Sequence, residues 1–238
     1  MKLFKLLLII FIIDLSACTT LPADKNSAAV ASENSGISSL GKGDIDEVIE
    51  LHQRVVMQDL KALMIKLYYR NPNGRHDSKL RTIEESAERV FSHSNDGYFP
   101  QWQSMTATDI VRIALDETYQ GSDRILPFIV GLRKMIMSSY DNHTEFFYLT
   151  SIDEQKLYNS ARNIEIAAWM LAEKRDVKGN LLILSDSVEN EQRNLSYQRL
   201  IGQMIATQDN LAMIIANKNG RLVKTVVVRA ASMMFLPI

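Results

Sequence analysis

The sequence predicts an all-α fold: a single helical bundle of about six to seven helices, spanning residues 44–238, carried on a flexible N-terminal tether. Three observations point there. From Asp44 onward apolar residues recur at intervals of three and four, the period that collects them on one face of a helix. Two of the periodic segments open on a helix-capping residue with an acid three places on, at Asp44 and Glu47 and again at Ser151 and Glu154. Ahead of them, residues 19–43 (TTLPADKNSAAVASENSGISSLGKG) are rich in Ser, Ala, Asn and Gly and hold no sustained apolar period, which is the composition of a tether. Such a segment reaches roughly 25–30 Å as a coil and roughly 80–90 Å when pulled straight.

The first helix carries Ile45, Val48, Ile49, Val56, Leu60, Leu63 and Leu67 as its stripe, and Asn71-Pro72 stops it. After the turn RNPNGRHD a second helix is expected from about Ser78 to Ser92, with Leu80, Ile83, Ala87, Val90 and Phe91 inward. The loop HSNDGYFPQWQSM leads to a short helix near Thr108 to Tyr119, closed by Gly121. Asp123 to Tyr140 is the most apolar stretch. Pro127 suits only the start of a helix, which places that start at about Leu126, and apolar residues almost all round predict a central, buried helix.

Ser151 opens a helix through about Lys174, with Leu157, Ala161, Ile164, Ala168 and Leu171 inward. The run NLLILSDS after Gly179 is too short for a helix and reads as a strand-like crossing. Leu195 to Asn217 is periodic again, and Asn219-Gly220 ends it. Beyond that point RLVKTVVV suits either the second arm of a β-hairpin or a last helix. The helix is the expectation, because Leu222, Val226, Ala230 and Met233 share one face and Pro237 terminates it.

The first seventeen residues have the three-part build of an export signal. Lys2 and Lys5 supply the positive start, Leu6 to Ile13 the apolar run, and Ser16-Ala17 the small residues before a cleavage point, with Asp14 a departure from the pattern. As a helix that apolar run covers ~12 Å against a bilayer core of ~30 Å, too short for a permanent span. Leu15-Ser16-Ala17-Cys18 resembles the lipobox of bacterial lipoproteins, over about twenty residues. The resemblance implies a signal peptide at residues 1–17, cleavage before Cys18, a diacylglyceryl group on the Cys18 thiol and an acyl chain on the new amine. It also implies an outer-membrane address facing the periplasm, since Thr19 stands where an aspartate commonly retains such proteins at the inner membrane. Residues 18–43 are then the lipidated cysteine and its linker, and the membrane is the first expected partner. Two or three acyl chains, at ~0.8 kcal/mol per buried CH₂, hold stably where a single chain does not. Cys18 is the only cysteine in the 238 residues, so it has no intrachain disulfide partner.

The formal charge of the whole chain is −1. Removing Lys2, Lys5 and Asp14 with the signal leaves it near −2, with both signs interspersed. That balance offers no footprint for nucleic acid. No phosphate loop, dinucleotide fingerprint, G-x-S-x-G or H-E-x-x-H occurs. The four histidines lack metal-ligand spacing, and His52 falls on the apolar stripe of the first helix, so neither a metal nor a cofactor is expected. Glu84-Glu85-Ser86 invites comparison with lytic transglycosylases, but it lies mid-helix without their following glycine and reads as a solvated acidic face. The methionines, Met135, Met137, Met233 and Met234 among them, read as core filler before they read as Cu(I) ligands.

Two loops remain. GYFPQW and EFFY place Tyr98, Phe99, Trp102, Phe146, Phe147 and Tyr148 outside the best helices, where they either anchor a partner surface or close the ends of the bundle. In DNHTE, Asp141, His143 and Glu145 alternate, and on an extended backbone they would converge as an acid/base or metal site. The expectation is therefore a membrane-anchored, periplasm-facing helical adaptor, assembly or accessory factor with an envelope protein as partner. The competing expectation is an envelope enzyme or small-ligand binder that uses the loop around His143.

Overall fold

Residues Asp44–Arg70 form a 27-residue helix, α1, that buries the predicted stripe: Ile49, Val56, Leu60, Leu63 and Leu67 are each at most 2% exposed. The computed structural model describes residues 43–92, 99–147, 150–186, 194–225 and 234–238. Among them it contains six α-helices, two 3-10 turns at Pro72–Gly74 and Pro100–Trp102, and no strand, so the fold is an all-α bundle. The start of α1 lies one residue earlier than the Asp44 and Glu47 pair suggests. The Gly43 N–H donates to the Asp46 carboxylate at 2.8 Å, and Asp46 is buried.

Helix α2 is Ile83–Phe91, five residues shorter at its start than expected. Thr82 caps it: its hydroxyl accepts from Glu85 N at 3.2 Å, and the Glu85 carboxylate accepts from Thr82 N at 2.8 Å. Residues 76–80 form a turn instead, because the buried Asp77 carboxylate is tied to the Ser86 hydroxyl at 2.8–2.9 Å and to Arg75. Leu80, expected inward, is 77% exposed. Helix α3, Ala107–Ala114, also ends early; Asp116 accepts from the N–H and hydroxyl of Thr118 and turns the chain before Tyr119.

Helix α4, Ile125–Ser139, has Pro127 in its first turn and buries almost every face, with Phe128, Ile129, Leu132, Met135 and Ile136 at most 2% exposed. One position there is set by close approach. A Cβ on Gly131 would stand 2.7 Å from Val111 Cγ2, 2.8 Å from Val111 N and 2.9 Å from Ala107 O, so α3 rests its backbone against a bare glycine.

Helix α5, Glu154–Glu173, is capped by Asp153, which accepts from Gln155 N at 2.8 Å. The predicted Ser151 box does not form, because the buried Glu154 carboxylate is drawn to Asn219 at 3.1 Å and Arg221 at 3.6 Å. Helix α6, Ser196–Asn219, stops at Gly220 in the left-handed region (φ 63°), and Arg221 N donates back to Ala216 O at 2.9 Å.

The layers follow from these faces. α1 packs against α2, α4 and α6; α4 also packs against α3 and α5; α5 lies along α6. Where α4, α5 and α6 meet, the core is polar. The fully buried Gln208 accepts from Tyr140 Oη at 2.7 Å and donates to Ser139 Oγ at 3.1 Å and Ser160 Oγ at 3.0 Å. Burial holds the Tyr140 phenol well above its usual pKa, so it stays a neutral donor.

The last expected helix is corrected in part. Residues 221–225 and 234–238 are not helical, and Leu222, meant for the inward face, is 94% exposed; residues 226–233 lie outside the described residues. The strand-like crossing shrinks to one antiparallel bridge, Arg175 to Leu181, around a turn with Gly179 at φ 83°. No helix among the described residues is long and apolar enough to cross a membrane.

Candidate functional site

An extended segment outside a sheet must find partners for its N–H and C=O groups elsewhere. Here carboxamide side chains supply them. Asn71, at the end of α1, donates to Leu184 O at 2.9 Å and accepts from Leu184 N at 2.9 Å, as a neighbouring strand would. The same device is repeated along α5, where Gln155, Asn159 and Asn163 recur every four residues and so share one face.

Gln155 accepts from Lys224 N at 2.8 Å and donates to Lys224 O at 3.1 Å. It also donates to Asn159 Oδ1 at 2.9 Å, which orients the next amide. Asn159 donates to Pro237 O at 2.8 Å. Asn163, fully buried, accepts from Leu236 N at 2.6 Å and donates to Leu236 O at 2.9 Å. The row asks for a carbonyl alone where the chain has proline, and for both groups where it has leucine. Phe235 is the side-chain anchor, 9% exposed, with the Arg112 guanidinium 5.3 Å from its ring centre. Residues 234–238 therefore lie on α5 as a strap held through its main chain and the Phe235 ring, with Ile238 packed partly buried against the core.

The residues singled out in the sequence fall elsewhere. Trp102 (9% exposed) and Phe146 (0%) are core, and Phe99 packs partly buried with its ring 5.7 Å from that of Trp102. As exposed anchors, these three are corrected. These rings fold back against the bundle, and Phe146 is locked there by its N–H to Glu50 at 3.0 Å. Phe147 stays 39% exposed. Tyr98, Tyr148, His93 and Cys18 lie outside the described residues.

The backbone at Asp141 and Asn142 is left-handed (φ 52° and 61°), so the alternation that would make Asp141, His143 and Glu145 converge is broken at its first member. Asp141 pairs with Lys156 at 2.5 Å. His143 is exposed and sets its ring edge-on to Phe146 at 6.2 Å, while its carbonyl accepts from Gln53 at 2.7 Å. Glu145 is exposed. Among the described residues no three His, Cys, Asp or Glu side chains are grouped to hold a metal ion. A cleft of about 560 Å³ between α1, α2 and α4 meets this loop at Thr144; Glu50, Arg54, Lys61, Glu88 and Arg133 bring both charge signs to it.

A second polar centre escaped the sequence reading. The buried Asp123 carboxylate accepts from Tyr68 Oη at 3.0 Å, from His76 Nδ1 at 2.7 Å and N at 3.2 Å, and from Leu126 N at 2.9 Å. Burial and the Asp123 charge keep Tyr68 protonated far above the usual range. With four donors on it, Asp123, one residue before the Arg124 cap position, satisfies an N–H in the first turn of α4 and joins α1 to the turn at His76. His52, on the stripe of α1, is half-buried and its Nδ1 bonds Val48 O at 2.8 Å, a satisfied helix histidine.

No family model, curated protein or solved structure matches the chain.

Proposed function

We infer that the chain is a lipid-anchored, periplasm-facing helical adaptor or accessory factor of an envelope complex. The observation that carries the adaptor half is the row Gln155, Asn159 and Asn163, a helix face that reads polypeptide main chain. A face of that kind suits protein contact, since it recognises groups every polypeptide has and leaves affinity to a few anchors. The anchor half rests on Leu15-Ser16-Ala17-Cys18 and the tether after it. The enzyme or small-ligand alternative would need Asp141, His143 and Glu145 to act together, and the left-handed turn and the Lys156 pair oppose that.

The anchor is tested by Cys18→Ser. Labelled palmitate is expected to enter the wild type alone, and the variant to accumulate as the larger, uncleaved precursor, because the thiol is the group that takes the lipid. Equal labelling of both proteins would remove the anchor from the account.

A further inference from the structure

We propose that the α5 amide row is an exchangeable docking site for an extended segment of a partner protein, and that residues 234–238 occupy it as a stand-in. The site fits a non-helical segment with a large apolar or aromatic residue, then a residue offering both its N–H and C=O, then one offering a C=O. Phe235, Leu236 and Pro237 meet those three demands in order.

Three features favour exchange. First, the contacts are with main chain: Asn163 pairs with Leu236 through its N–H and C=O, and Asn159 takes only the Pro237 carbonyl, so the row is indifferent to most side chains. Second, the strap is short and only partly seated. Met234 is 71% exposed and Pro237 exposed, Leu236 is half-buried, and Phe235 alone joins the core, with Ile238 packed partly buried against it. Third, the first two amides of the row stay aligned without the strap, because Gln155 donates to Asn159 and is itself held by Lys224. Removing the strap would strand the fully buried Asn163 amide, with both of its polar atoms left open to a new occupant. By contrast Asn71, which grips Leu184 in the same way, is also bonded to Leu67 O in its own helix.

The partner's identity rests on the adaptor reading; the site itself does not. The test uses the full-length protein, a variant lacking residues 234–238, and a fluorescein-labelled peptide of residues 234–238 read by anisotropy. The peptide should bind the deletion variant about tenfold or more tighter than the intact chain, whose own strap competes. Methylating the peptide nitrogen at the Leu236 position, or replacing Phe235 by alanine, should each weaken binding about tenfold, whereas serine for Leu236 should change it by less than about threefold. Asn163→Leu in the deletion variant should abolish it. Absence of binding to a deletion variant that melts cooperatively overturns the proposal, as does binding that ignores N-methylation. If the deletion variant does not fold, Phe235→Ala in the full chain provides the loosened strap, and the same peptide must then bind it more tightly than it binds the wild type. Peptide binding without any envelope partner would leave the site standing and remove the adaptor reading; a partner recovered in the absence of peptide binding would do the reverse.

Discussion

Leu132→Asp is expected to leave the domain unfolded or too scarce to purify. Leu132 is 2% exposed on α4, the helix wedged against α1, α3 and α5. A carboxylate there has either to stay ionised without a partner or to take up a proton, and both options cost several kcal/mol against a total stability of roughly 5–15 kcal/mol. Circular dichroism on heating reads the outcome. A melt that coincides with the wild type would mean that α4 does not bury this face.

Gln208→Leu is expected to destabilise by about 3 kcal/mol although leucine is apolar and near in size, because the substitution leaves the buried Tyr140 Oη and Ser160 Oγ without this partner. Ser139 keeps its bond to Ile136 O at 2.7 Å and suffers less. Adding Tyr140→Phe to Gln208→Leu should restore about 1 kcal/mol or more, since the stranded phenol is then gone. Denaturant titrations of the two single variants and the double variant supply that cycle. Strict additivity would show that the network is not coupled as the distances imply.

The parts of the fold legible in the sequence are those where local periodicity and burial agree. α1, α4, α5 and α6 could be read because their stripes are long and the elements that end or start them, Asn71-Pro72, Pro127 and Gly220, act through backbone geometry alone. Helix starts were less legible, because several acids and hydroxyls compete to cap and tertiary contacts choose among them. Glu154 leaves the predicted box for Asn219 and Arg221, and Asp77 holds as a turn the residues that α2 would have used. The segment after Gly220 reads as a helix by spacing, yet Lys224 is non-helical and bonded through its main chain to Gln155, a partner 69 residues away that no local window contains.

The candidate site was hidden for the same reason. Asn159 and Asn163 are poor helix formers in the middle of a helix, and that misfit at four-residue spacing was the available signal. It became meaningful only once residues 234–238 were seen to lie across them. The aromatic loops misled in the opposite sense: Trp102 and Phe146 stand outside helices in sequence and inside the core in space.

The central claim, that this protein is anchored in the envelope to hold another polypeptide, is tested most directly by crosslinking in intact envelopes from position 222. Leu222 is 94% exposed and lies two residues from the Lys224 main chain that Gln155 grips, so a photoreactive leucine there samples whatever approaches the amide row. The account predicts one discrete adduct with another envelope protein in the lipidated wild type, lost in a folded Asn159→Leu, Asn163→Leu double variant. Adducts with lipid alone, or the same protein adduct in both chains, would contradict it.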